Sequence, residues 1–223
     1  MAREIELKLA VPAGAHDALA GWLDAHARPA GTVTLANVYY DTPEQTLASR
    51  RAALRVRRQG DQWLQTLKTA GDSGQGALSG LSARHEWEVP LDSNAISIEA
   101  FATQDAAEAA DLVRPHADRL VPLFRTDFTR RLWHAAADGG EIEIALDAGA
   151  ILVPGTDARE AIDELEVEWK PAARSPLDES AIAERLRAWT QTLRTAVPGL
   201  APLDASKALR GYQLRAKATG ARA

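Results

Sequence analysis

Charged residues recur at every second position in several short stretches of this chain. Glu4, Glu6 and Lys8 form one such set, and Arg55 with Arg57, Glu86 with Glu88, and Glu164 with Glu166 and Glu168 form others. Glu141, Glu143 and Asp147 share the same parity. In a strand, side chains at i and i+2 lie on one face, so each set is a one-sided display of charge. Same-face neighbours stand roughly 6.7 Å apart. At an effective dielectric of ~20, two like charges at that distance repel by about 2.5 kcal/mol, and by much less in open water. A run such as Glu164, Glu166 and Glu168 on an enclosed face therefore requires cations beside it, from Lys, Arg or metal ions.

The charges are also sorted by segment. Carboxylates dominate 4–6, 86–88, 141–147 and 164–168, whereas cations dominate 55–58, 68 and 125–131. A face in water usually mixes the two signs. Carboxylates that hold hard metal ions, opposite Arg forks that grip phosphate oxygens in bidentate fashion, form the equipment of phosphoryl chemistry. That chemistry depends on positioning and neutralisation more than on a covalent intermediate. No GxxxxGK[ST] loop and no GxSxG elbow is present, which excludes a P-loop and an α/β-hydrolase nucleophile. Cys is absent, and His16, His26, His85, His116 and His134 are scattered without ligand spacing. Oxygen donors remain, and they favour Mg²⁺, Mn²⁺ or Ca²⁺ over Zn²⁺.

The elements that must position these residues read as short alternating strands at 4–10, 37–42, 53–59, 62–69, 84–91, 123–135, 141–153 and 163–170. Helical periodicity occupies 13–27, 97–120 and 177–196, with Leu19, Trp22 and Leu23 on one stripe and Ile182, Leu186, Trp189 and Leu193 on another. Ser206 is placed to N-cap a short helix reaching Leu214. Gly139-Gly140 marks a hairpin, and 71–80 reads as a flexible loop by composition. The helices suffice to cover the apolar strand faces from outside, which turns the charged faces inward. Eight strands closed into a barrel leave an interior wide enough for one small ligand. The expected fold is therefore α+β: an eight-stranded antiparallel closed β-barrel with flanking helices, residues 1–214 forming a single domain and 215–223 a flexible tail. The net charge of −5 argues against a nucleic-acid partner. No apolar run approaches a membrane span, and MAREIELKLA lacks the apolar stretch of a signal peptide, so the expectation is cytoplasmic.

The opening EIELKL (4–9), with YYDTP (39–43), ALRVRR (53–58), TLKT (66–69), RHEWEV (84–89), PLFRTDFTRRLW (122–133), EIEIALDAG (141–149), ELEVEWK (164–170) and SKALRGY (206–212), resembles the CYTH superfamily of triphosphate tunnel metalloenzymes. The ordered set spans nearly the whole chain, and its style most resembles the bacterial inorganic triphosphatases. The resemblance implies hydrolysis of inorganic triphosphate to diphosphate and phosphate inside the tunnel, with Mg²⁺ or Mn²⁺ as cofactor, two ions acting with substrate bound. It assigns metal binding to Glu4, Glu6, Glu166 and Glu168, assisted by Glu164, and catalysis to Glu4, Glu6, Lys8, Glu166 and Glu168. It assigns the phosphates to Lys8, Arg55, Arg57, Lys68, Arg125, Arg130 and Lys207, with Glu86, Glu88, Glu143 and Asp147 lining the tunnel. Arg125 and Arg130 have opposite parity, so a bulge, or Arg131 in place of Arg130, is required to turn a full set inward. Within the superfamily the alternatives are thiamine triphosphate, nucleoside triphosphates or ATP cyclisation; a non-catalytic polyphosphate-binding module is the alternative outside catalysis. Relatives often carry a further helical domain after the SKALRGY-like helix, where this chain stops.

Overall fold

The computed structural model describes residues 2–70, 80–103, 106–172 and 177–220; the loop expected over 71–80 lies, Gly80 apart, outside the described residues. In chain order the elements are β1 (Ala2–Ala10), α1 (His16–His26), β2 (Arg28–Asp41), α2 (Thr46–Ser49), β3 (Ala52–Gln59), β4 (Gln62–Ala70), β5 (Leu81–Leu91), α3 (Ile98–Thr103), α4 (Ala107–Val113), a 3₁₀ turn (Arg114–Arg119), β6 (Val121–Ala137), β7 (Gly140–Leu152), β8 (Arg159–Pro171), α5 (Glu179–Ala196), β9 (Ala201–Pro202) and α6 (Lys207–Thr219). The sheet runs β5-β4-β3-β2-β6-β7-β8-β1, and a β5–β1 pairing closes it into an antiparallel barrel of eight strands. β9 pairs only with the end of β1. All eight expected strands are present. Closure follows from β1, which pairs on one side with β5 and on the other with β8, so no long edge is left unpaired.

Alternation decides which side chains face where. The outward faces of β1, β6, β7 and β8 present Leu7, Leu9, Trp133, Ile144, Leu165 and Val167 to Leu19 and Leu23 of α1 and Leu186 and Leu193 of α5. Leu54, Leu67 and Trp87 of β3–β5 pack on Phe101 and Val113 of α3 and α4. The third cluster differs in kind. Leu35, Tyr39, Phe124, Phe128 and Ile162 share the parity of the inward polar residues Asn37, Thr126 and Glu164, so they form an apolar plug at one end of the bore. α6 closes that end, with Tyr212 edge-on to Phe124 at 5.1 Å between ring centroids.

Two glycines permit close approaches. A Cβ on Gly140 would lie 2.5 Å from the Lys170 carbonyl oxygen, where β8 pairs with β7 beside the Asp138–Gly139 turn. A Cβ on Gly211 would lie 2.0 Å from the Phe124 ring. Gly211→Ala is expected to destabilise the fold by about 1–3 kcal/mol through overpacking, even though Ala is the better helix former by about 1 kcal/mol. Thermal melting checks this: a midpoint that holds or rises means α6 shifts away at no cost. α6 also continues beyond Leu214, where the sequence suggested a tail. Ala216 is buried, and the helix ends at Gly220 with φ 66° in the left-handed region.

Candidate active site

The cationic half of the bore is built by β3, β4 and β5. Arg55 and Arg57 share the inward face of β3, and Lys68 and Thr66 stand on β4 directly across from Glu86 and Glu88 of β5. Lys68 donates to both Glu4 oxygens (2.8 and 3.0 Å) and lies 3.1 Å from Glu86. The two guanidiniums are held more loosely. Arg55 reaches Glu86 and Glu88 only at 3.6 and 3.9 Å, and Arg57 reaches Glu88 at 3.7 Å. Among the described residues, the buried Nε of Arg55 has no hydrogen-bond partner. Burial, followed by the neighbouring Arg55, brings the Arg57 guanidinium down to about 10. Arg55 is hydrogen-bonded to Tyr39 and Arg57 to Asn37, so both forks are oriented by neutral partners and keep charge that no close carboxylate consumes.

The opposite half is locked. Arg130 grips Asp147 with two bonds of 2.7 Å and also pairs with Glu166. Lys207, at the start of α6, is buried among three carboxylates: Asp147 at 2.7 Å, Glu166 at 2.9 Å, and Glu164. An ammonium has three hydrogens, and here each faces a carboxylate. Arg210, one turn further along α6, donates to Glu164 (2.8 Å) and Glu160 (2.6 Å). The register explains why so many cations converge. Asp147 stands opposite Glu164, and Glu143 opposite Glu168, across the β7–β8 ladder. Like charges directly opposed on a sheet are destabilising unless compensated.

β1 runs between the two halves and contributes both signs. Lys8 donates to Glu6 at 2.9 Å, and Ser82 donates to the same carboxylate at 3.0 Å. Burial pushes the Glu6 carboxyl up, but Lys8, then Lys68 and Arg84, outweigh both burial and Glu166 and leave it at about 2. Glu168 behaves oppositely. It faces Glu6 across β1 and Glu143 across β7. Burial and then Glu4 push its carboxyl up to about 7, against the pull of Lys170 at 2.5 Å.

The structure brings together Glu4, Glu6, Lys8, Arg55, Arg57, Lys68, Glu86, Glu88, Arg130, Glu143, Asp147, Glu164, Glu166 and Glu168 on the inward strand faces, with Lys207 of α6 among them. Arg125 is the exception. It faces outward, half exposed, and pairs with Asp127 at 2.8 Å. Arg130 faces the bore, while Arg131 lies outside over the Trp133 ring at 4.9 Å. No bulge intervenes between Arg125 and Arg130: the register shifts of the β2–β6 ladder lie at Pro29/Gly31 and Tyr39/Tyr40, on either side of that stretch. Sequence reasoning missed Arg210, whose i+3 spacing from Lys207 was a usable signal. It also missed Asn37, Thr66 and Thr126, neutral residues with no signature of their own.

The donor set fits a hard divalent cation. Asp147, Glu164 and Glu166 offer oxygens within 4.8 Å of one another. Both Glu164 oxygens and both Asp147 oxygens are, however, already taken by Lys207, Arg210 and Arg130. Glu4 and Glu168 each meet a single cation, Lys68 and Lys170, and burial and neighbouring carboxylates still hold both carboxyls up. A carboxyl held up by surrounding negative charge is the place where an added cation gains most.

The profile of the CYTH domain family matches residues 2–212. An inorganic triphosphatase of Haemophilus influenzae is 31% identical over 225 residues, covering 97% of this chain and 56% of the relative. The chain thus spans about half the length of that curated relative. Among solved structures, a Hippeastrum protein studied as an adenylyl cyclase and described as having a dominant triphosphatase activity superimposes with a TM-score of 0.64. It is 22% identical, over 94% of this chain and 95% of that one. A Pyrococcus horikoshii protein follows at 0.56 and 17% identity, over 91% and 94%. At these identities the two structures speak for the fold. No helix among the described residues is long and apolar enough to cross a membrane.

Proposed function

We propose, from the premise that this chain belongs to the CYTH domain family, that it hydrolyses inorganic triphosphate to diphosphate and phosphate with a divalent cation, Mg²⁺ or Mn²⁺. The observation that carries this reading is the division of one closed bore. Loosely held Arg forks line β3, and Glu4 and Glu168, two carboxyls held above the usual value, line β1 and β8 beside Lys68. In this reading Arg55, Arg57, Lys8 and Lys68 take the phosphate oxygens. The free donors of the two guanidiniums suit bidentate contact. Glu4, Glu6, Glu166 and Glu168 hold the metal. A bound divalent cation would offset phosphate charge and lower the pKa of a water molecule. Glu164 and Asp147 hold Lys207, Arg210 and Arg130 in place, and Lys207 and Arg130 in turn fix Glu166. Enclosure excludes bulk water and strengthens every one of these interactions.

Inorganic triphosphate is favoured over nucleotides by the state of the inward aromatics. Tyr39 stacks on Phe124 at 4.6 Å, Phe124 meets Tyr212, and the Phe128 ring is covered by Arg130 and Lys207 at 5.7 and 5.0 Å. All four rings are buried, so they offer no open face for a base or thiazolium to stack on. The test is phosphate release from inorganic triphosphate, ATP and thiamine triphosphate with Mg²⁺ or Mn²⁺. Metal-dependent cleavage is expected, abolished by chelator and at least about tenfold faster on inorganic triphosphate, a margin within reach of binding discrimination. Preference for ATP or thiamine triphosphate would overturn the substrate assignment. Tight binding without turnover on all three would make the chain a binding module.

A further inference from the structure

Arg57 differs from the other bore cations in what holds it. Its Nε donates to the Oδ1 of Asn37 at 3.1 Å, directly across the β2–β3 ladder. Asn37 is itself fixed from the other side. Its Nδ2 donates to the hydroxyl of Thr126 at 3.1 Å and to the Thr126 carbonyl at 3.3 Å, across the β2–β6 ladder. Asn37 and Thr126 are both fully buried. The amide is therefore used on both sides, and the carbonyl orientation of its side chain is dictated by Thr126. The consequence for Arg57 is directional: with Nε occupied at the barrel wall, the two terminal nitrogens of the guanidinium turn into the bore.

An amide, being neutral, orients Arg57 without cancelling its charge. The remaining cations illustrate the contrast. Arg130, Lys207 and Lys68 are each anchored by carboxylates at about hydrogen-bond distance, whereas the carboxylate nearest Arg57 stays 3.7 Å away. We infer that Asn37 is a positioning residue for substrate recognition: it aims Arg57 at a phosphate group while leaving its positive charge only loosely paired. The inference rests on the triphosphate reading above and adds a residue to it.

The test is the binding of inorganic triphosphate by titration calorimetry in the presence of chelator, together with steady-state hydrolysis in Mg²⁺. Wild type is compared with Asn37→Asp, Arg57→Met, the double variant and Thr126→Val. An aspartate is nearly isosteric with the asparagine it replaces. It can accept from both Arg57 and the Thr126 hydroxyl, gives up the 3.3 Å donation to the Thr126 carbonyl, and forms a stronger charge-assisted bond to Arg57. Asn37→Asp is expected to weaken triphosphate binding and raise KM by roughly 10- to 100-fold, the scale on which supporting partners of a ligating group act. Its kcat should stay within a few fold and its melting temperature within a few degrees. In the Arg57→Met background the same substitution should have little further effect, because its target is gone. Thr126→Val is expected to move affinity in the same direction, more weakly, since the carbonyl contact to Asn37 remains. A purely structural Asn37 would show the reverse pattern, a lowered melting temperature with unchanged affinity, and that result overturns the inference alone. Wild-type protein that neither binds triphosphate in chelator nor hydrolyses it in Mg²⁺ overturns both the inference and the reading beneath it.

Discussion

Replacing Lys207 with Met is expected to lower the unfolding free energy by about 3–5 kcal/mol, the usual cost of stranding a buried charge. Lys207 is 7% exposed and bridges Asp147, Glu164 and Glu166. Met conserves most of the volume, so the loss is electrostatic and not a cavity effect. After the substitution, Arg130 still serves Asp147 and Glu166, and Arg210 still serves Glu164. Three enclosed carboxylates then share two cations. The deficit has a definite pH dependence. In the wild type, burial opposes ionisation of Glu166, but Lys207 and Arg130 hold its carboxyl well below the usual value. A depressed carboxyl contributes stability above the unfolded pKa and loses it as the pH falls through the folded one. In the variant one carboxyl of the cluster is left elevated, so the folded variant gains relative to the wild type on acidification. The two proteins should differ most at neutral pH and converge as the pH drops through the carboxylate range. Urea unfolding at several pH values measures this. Equal midpoints at pH 7 would mean that water, and not Lys207, compensates the cluster, and that α6 does not seal the bore.

The barrel was legible because its two faces obey different rules. Outward positions such as Leu7, Leu9, Ile144 and Val167 had to be apolar to meet α1 and α5, and inward ones such as Glu4, Glu6 and Glu166 did not, so period two survived in nearly every strand. The same rule exposed the one weak assignment. β6 keeps its parity from Phe124 to Arg130, with Thr126 and Phe128 inward, and Arg125 must therefore point out. Closure at one end was not legible. Leu35, Tyr39, Phe124, Phe128 and Ile162 are inward residues that look like ordinary outward core in a one-dimensional pattern. Only the arrival of α6 shows that they plug the bore. Asn37 was invisible for another reason. A neutral amide on an inward position acquires meaning only from the strands on each side of it, which place Arg57 and Thr126 against it.

Glu168→Gln is expected to stabilise the metal-free protein at alkaline pH and to cut triphosphate hydrolysis by about 10²- to 10³-fold, the scale set by losing one group that stabilises transition-state charge. Both effects have one source. Burial and then Glu4 hold the Glu168 carboxyl up at about 7, well above an unperturbed Glu. An acid whose pKa is raised on folding leaves the fold at full stability below its unfolded value of about 4.5 and erodes it as the pH rises towards the folded value. The window is therefore about pH 4.5 to 7, and the accumulated penalty above it is at most about 3 kcal/mol. Gln removes the penalty because it cannot ionise, so wild type and variant should melt together near pH 4.5, with the variant ahead by pH 8. A divalent cation should reverse the order, since it offsets the repulsion among Glu4, Glu6 and Glu168 and needs the ionised carboxyl to do so. Wild-type affinity for Mn²⁺ should accordingly rise between pH 6 and pH 8, with proton release, and this pH dependence should flatten in the variant. Calorimetric titration in buffers of different ionisation enthalpy reads the proton count directly. A variant that melts lower than the wild type at pH 8 and keeps its turnover would assign Glu168 to the wall of the barrel and shift the metal towards Glu6 and Glu166. The opposite outcome ties activity to a carboxylate that the empty fold is less stable for keeping, which is the pattern expected where chemistry, and not packing, maintains a residue.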